Sequence, residues 1–153
     1  NLNGSNYRLS DINCALGYSQ IKKIDKIISK REKISKIYDK LFKHNSDLIK
    51  TQNRVPNQKS AWHLYIIIID FLKLKINRSV FIKKLFQKQI ITQVHYIPIH
   101  QHPVFSALKN SALKNTNYYY NNCLSLPIYY DLKPSQQRYI VKTINFLIKK
   151  YRK

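Results

Sequence analysis

The 153-residue chain has no methionine, two glycines, two cysteines, one tryptophan and seven acids, of which Glu32 alone is a glutamate. Each scarcity excludes something. Cys14 and Cys123 stand far apart with no CxxC pairing, which excludes a disulfide framework and the usual structural zinc patterns. Such usage suits a reducing, cytoplasmic compartment. With Gly4 and Gly17 as the only glycines there is no glycine-rich phosphate loop, and one Glu among six Asp leaves no visible pair of catalytic carboxylates. The longest apolar run, Trp62 to Ile69, is interrupted by His63 and ended by Asp70. That is far short of the ~20 residues a membrane span needs, so a soluble chain is expected. The opening NLNGSNYR shows neither a start methionine nor a signal peptide and reads as part of a longer protein.

What is present is positive charge: 28 Lys and Arg against 7 acids, a formal net charge of +21. Such a balance attracts anionic partners, nucleic acid first among them. Yet 22 of those cations are lysine and only 6 arginine, while Ile (22), Asn (14) and Tyr (12) are also abundant. All these residues have AT-rich codons, so genome bias accounts for much of the excess. Lysine lacks the planar fork with which arginine reads bases and phosphates. Lys22, Lys26, Lys30, Lys33, Lys36 and Lys40 lie along the polar face of a helical pattern, which reads as a solvated face.

The length allows one domain burying about two-thirds of the surface its unfolded chain exposes. Ser10 offers an N-cap and Asp11 an acidic first turn. Apolar residues then recur at helical spacing from Ile12 to about Phe42, as one long helix or two with a joint. Gly17, inside it, reads as a close-packing position. Residues 44–60 form a polar connector with room for a short strand. Trp62 to Asp70 reads as a buried strand with His63 a core histidine, and His44 reads as an exposed side chain. A helix from Asn77 or Ser79 to about Gln89 precedes a second strand, Ile90 to Tyr96. Tyr118 to Cys123 reads as a helical turn and Leu124 to Tyr129 as an extended segment. Pro134 opens a closing helix. The sum is an α+β fold: a long N-terminal helix and a small, mainly antiparallel sheet covered by helices.

Two segments hold chemistry. GSNYRLSDINCALG, residues 4–17, sets the Asn6 amide and the Arg8 guanidinium beside a helix N-terminus, a ready anion site. TQVHYIPIHQHP, residues 92–103, crowds His95, Tyr96, His100 and His102 into a loop stiffened by Pro98 and Pro103. A metal reading is weak, because no Cys or carboxylate lies near and neighbours in a strand point to opposite faces. A pocket wall of imidazole donors and aromatic surface is the better reading.

Together these segments resemble the DegT/DnrJ/EryC1/StrS family of sugar aminotransferases, whose usual form is G-x-N-Y-R-[LMT]-[ST]-[DE]-[IL]-x-A-A-[LI]-G. The order continues through SAWHLYIII, TQVHYIPIHQHPVF and CLSLPIYYDL, so the resemblance spans almost the whole chain. TQVHYIPIH is most similar to the branch that aminates C4 of a UDP-linked 4-keto-6-deoxy-N-acetylhexosamine in pseudaminic acid synthesis. Asn13 stands where Gln is frequent, and Cys14 where a small Ala is usual. The resemblance implies the small C-terminal domain of a fold-type I enzyme, with residues 1–45 as interdomain loop and long helix and 46–153 as the small domain.

It also implies that the large domain, which carries the cofactor-binding lysine, is not in this chain, so no catalytic residue is assigned and the chain alone is expected to be inactive. Pyridoxal 5'-phosphate would be shared with that domain, Asn6 and Arg8 serving its phosphate across a homodimer interface. His95, Tyr96 and His100 would bind the sugar nucleotide, glutamate would be the amino donor, and neither nucleic acid nor membrane would be a partner. A basic nucleic-acid-binding module and the remnant of a decayed gene remain as alternatives.

Overall fold

In the computed structural model, which describes residues 7–43, 47–108 and 113–153, the apolar stripe of the first 42 residues is divided between two helices with different fates. Helix α1 (Asp11–Ile21) starts where the Ser10 side chain accepts from the Asn13 backbone N–H, 3.4 Å. It buries none of its residues: Ile12, Leu16, Tyr18 and Ile21 are all exposed. A Cβ added to Gly17 would meet nothing within 4 Å, so the close packing expected there is not found. The break comes instead at Lys22–Lys23, where the Lys23 N–H bonds to the Gln20 carbonyl, one residue nearer than an α-helix would place it. Helix α2 (Ile24–Phe42) resumes and turns Ile34, Tyr38 and Phe42 inward at four-residue spacing.

Helix α2 packs against helix α5 (Pro134–Tyr151), whose Ile140, Val141, Ile144, Leu147 and Ile148 are buried in the same core. Pro134 opens α5, and the Lys133 backbone N–H donates to Gln136 Oε1, 2.8 Å, satisfying one of the donors that a helix start leaves open. Deep in this seam the Gln137 amide donates to the Ile34 carbonyl, 2.9 Å. The Tyr38 hydroxyl donates to the Pro127 carbonyl, 3.0 Å, and burial pushes its phenol well above the ordinary range.

The sheet has three antiparallel strands in the order β1 (Ile49–Thr51), β2 (Tyr65–Ile69), β3 (Cys123–Leu126), with Ile67 between Thr51 and Leu124. Alternation in β2 buries Tyr65, Ile67 and Ile69 fully and leaves Ile66 and Ile68 half-buried. Two expectations fail beside it. The strand starts at Tyr65, because Trp62 adopts a φ of 47° that turns its indole into the core. His63 is therefore exposed, not a core histidine. Residues 90–96 form no strand beyond a single bridge between Gln93 and Ser125. Helix α3 (Arg78–Phe86) explains this: Gln89 takes a left-handed φ of 58°, and buried Ile90 bonds back to the Leu85 carbonyl, which uses the segment's first residues to close the helix. The turn expected near Tyr118 is a nine-residue helix, α4 (Lys114–Asn122).

The polar connector is held down by Arg54. Its guanidinium donates to Asp39 Oδ2 (2.7 Å), Glu32 Oε1 (2.9 Å) and Ser35 Oγ (2.8 Å) and lies 4.4 Å from the centre of the Trp62 indole. Tyr65 donates to the other Asp39 oxygen, 2.7 Å, and burial together with that carboxylate pushes its phenol far up. Burial alone would raise the Glu32 carboxyl, but Lys36 and Arg54 outweigh it and hold the group below its ordinary value. A carboxyl lowered in the folded state contributes stability above its unfolded pKa and loses it as pH falls through the folded one. Arg54→Ala is expected to lower unfolding free energy by about 1–2 kcal/mol at neutral pH, less than a fully buried pair would give because these groups are about a third exposed. It should also flatten the loss of stability on acidification, which urea unfolding at neutral and acid pH would measure.

Candidate functional site

The loop after α3 is stitched to the outer edge of β3. The Gln93 N–H donates to the Ser125 carbonyl, 3.2 Å, and the Ser125 N–H donates back to the Gln93 carbonyl, 2.8 Å. Two residues on, half-buried His95 places Nδ1 2.8 Å from Ser125 Oγ. Its ring meets that of Tyr96 edge-on, centroids 4.5 Å apart and planes at 86°, across a cis peptide bond. The expectation that these neighbours point to opposite faces of a strand therefore fails, since there is no strand and the rings touch. Tyr96 is 71% exposed and offers an aromatic face to solvent.

Further along, the chain folds back on α4. His100 is buried, with Nε2 3.0 Å from Asn117 Oδ1, and the Gln101 amide donates to the same oxygen, 2.8 Å. His100 and Gln101 meet at one Asn117 side chain, which anchors the loop to α4. His102 is exposed, with Nε2 3.3 Å from the Ile97 carbonyl. Among the described residues no three His, Cys, Asp or Glu side chains come together as a metal set.

Arg8 is exposed on the lead into α1, outside this loop, and Asn6 lies outside the described residues. His95 thus touches Tyr96 and Ser125, while His100 is tied separately to Asn117. Sequence reasoning missed Ser125 and Asn117, the two partners that orient the histidines. A signal for Ser125 existed: a lone hydroxyl between Leu124 and Leu126 in a wholly buried strand must find a partner. Burial pushes the Cys123 thiol up, opposed in part by Arg78 and the His95 backbone N–H, so it makes no ready nucleophile. A surface cleft of about 510 Å³ between Phe71, Asn77, Tyr118 and Lys153 holds none of the candidate residues. Among the described residues no helix is long and apolar enough to cross a membrane.

The profile of the DegT/DnrJ/EryC1/StrS aminotransferase family matches residues 1–145. The UDP-4-amino-4,6-dideoxy-N-acetyl-beta-L-altrosamine transaminase of Campylobacter jejuni is 32% identical over 151 residues, covering 98% of this chain and 40% of that protein. The enzyme of that name from Helicobacter pylori is 35% identical over 130 residues, 84% of this chain and 34% of its own. The solved structure of Helicobacter pylori PseC, an aminotransferase involved in the biosynthesis of pseudoaminic acid, superposes with a TM-score of 0.85 at 32% identity, over 97% of this chain and 40% of that one. This chain thus spans 34–40% of the length of those relatives. It belongs to the DegT/DnrJ/EryC1/StrS aminotransferase family.

Proposed function

We propose that this chain is the C-terminal part of a homodimeric nucleotide-sugar aminotransferase. The reaction is transfer of an amino group from glutamate to C4 of a UDP-linked 4-keto-6-deoxy-N-acetylhexosamine, with pyridoxal 5'-phosphate as cofactor. The observation that supports this reading is the likeness along 151 residues to the UDP-4-amino-4,6-dideoxy-N-acetyl-beta-L-altrosamine transaminase of Campylobacter jejuni. Residues 1–45 serve as the connector and 46–153 as the small domain. The remainder of the enzyme supplies the lysine, so the chain alone has no turnover.

The residues present fit their share of the cofactor. Exposed Arg8, two residues before the N-cap of α1, offers a guanidinium beside a helix start, the donor chemistry a phosphate group requires. When bound, pyridoxal phosphate supplies the electron sink that lets nitrogen pass between donor and keto sugar. This chain's residues bind and orient. Arg8 and Asn6 hold phosphate oxygens at the dimer seam. Exposed Tyr96 gives the sugar nucleotide an aromatic surface, and His95 addresses one of its oxygens. His100 fixes the loop through Asn117.

The full-length protein should transfer nitrogen from glutamate to the UDP-4-keto sugar, read as the amino sugar by mass spectrometry. No amino product would overturn the proposal. In the same protein Asn6→Ala is expected to lose cofactor absorbance on dialysis that the unsubstituted enzyme retains, with its far-ultraviolet circular dichroism unchanged. Equal retention by both would remove Asn6 from the phosphate site.

A further inference from the structure

We propose that Ser125 is a positioning residue that fixes the neutral imidazole of His95 as the Nε2–H tautomer, so that the loop presents a hydrogen-bond donor, not a base, to an acceptor oxygen of the substrate. The substrate half of this statement rests on the function proposed above. The tautomer stands on the geometry alone.

Ser125 is 5% exposed, between Leu124 at 0% and Leu126 at 4%. Its backbone N–H and carbonyl are both engaged by Gln93. The hydroxyl has one hydrogen bond among the described residues, to His95 Nδ1 at 2.8 Å. A hydroxyl owns one proton and two lone pairs, and Nδ1 of a neutral ring owns either a proton or a lone pair. Two arrangements satisfy the distance. If Nδ1–H donates to Oγ, the serine proton is left inside the protein with no acceptor, which costs about 1–3 kcal/mol. If the serine O–H donates to the Nδ1 lone pair, only a lone pair on Oγ goes unused, a smaller loss because acceptors tolerate partial use better than donors do. The second arrangement wins. The ring's one proton then sits on Nε2, which has no protein partner among the described residues.

The ring is also held in place. The paired Gln93–Ser125 bonds fix the backbone two residues upstream, and the edge contact with Tyr96 leaves the imidazole little room to rotate. An N–H held this way recognises acceptors: a phosphate oxygen, a carbonyl or the lone pair of a sugar hydroxyl. Proton abstraction would need the opposite tautomer, with the lone pair on Nε2.

The test is a two-bond ¹H–¹⁵N correlation spectrum of the ¹⁵N-labelled protein above the titration range of its histidines, with His95→Gln identifying the His95 ring signals. The expected result is an unprotonated-type Nδ1 shift and a protonated-type Nε2 shift. These should be kept in Ser125→Thr and drawn towards tautomer-averaged values in Ser125→Ala. A protonated-type Nδ1 in the unsubstituted protein would overturn the assignment. So would spectra of Ser125→Ala and the unsubstituted protein that coincide. Should Ser125→Ala fail to fold, the unsubstituted protein and Ser125→Thr decide alone. An Nδ1–H tautomer would leave the aminotransferase reading standing, whereas sugar-nucleotide binding indifferent to His95→Ala would sink the substrate role and leave the tautomer untouched.

Discussion

Replacing Phe81 with alanine is expected to lower the free energy of unfolding by about 3–5 kcal/mol, the range for removing a fully buried aromatic side chain. Phe81 is completely buried, and its ring packs edge-on against Phe71 with centroids 5.5 Å apart. Truncation removes the apolar surface and leaves a void that α3 closes only in part, because Leu85, one turn on, is held in the same core. The effect should reach the candidate site. Helix α3 ends through the Ile90-to-Leu85 bond, and three residues later Gln93 pins the loop to β3. Urea unfolding gives the stability, and amide exchange at Gln93 and Ser125 gives the local consequence. Exchange there should quicken by more than at Tyr38, which sits in the α2–α5 seam. A loss below 1 kcal/mol would mean that the Phe81 pocket collapses around the deletion.

Local pattern was enough for α2 and α5, since helical spacing reports which residues share a buried face, and the run of aromatic and β-branched residues marked β2 though not its start. It failed where the deciding partner is distant in sequence. The apolar spacing of Ile12, Leu16 and Ile21 made α1 look like core, yet α1 buries none of them: periodicity marks a face and is silent about what covers it. No glycine or proline marks the joint at Lys22–Lys23, so nothing local announced it. Ile90, Ile91 and Val94 have strand propensity, but left-handed Gln89 and the return of Ile90 to Leu85 commit the start of that segment to ending a helix. Arg54 reaches partners 15 to 22 residues away, and Ser125 orients a histidine 30 residues before it. The TQVHYIPIH segment was legible as chemistry from its histidines and prolines. Which ring nitrogen is engaged, and by what, belongs to tertiary structure.

That distinction sets the expected behaviour of His95 variants in the full-length enzyme. His95→Ala removes the ring and with it the Nε2 donor, while Arg8 and the start of α1 stand outside its loop. A hydrogen bond to a charged acceptor is worth about 1.5–3 kcal/mol, so kcat/KM for the keto sugar should fall about 10- to 100-fold. Cofactor absorbance should remain that of the unsubstituted enzyme. His95→Gln, whose side-chain amide can present an N–H near the position of Nε2, should recover part of the loss, because a donor needs no particular pKa. A general base gives the opposite pattern: glutamine would be as inactive as alanine, and the pH profile of kcat/KM would lose its acidic limb. Loss of the cofactor spectrum in His95→Ala would place the residue in the other half of the site, with the phosphate.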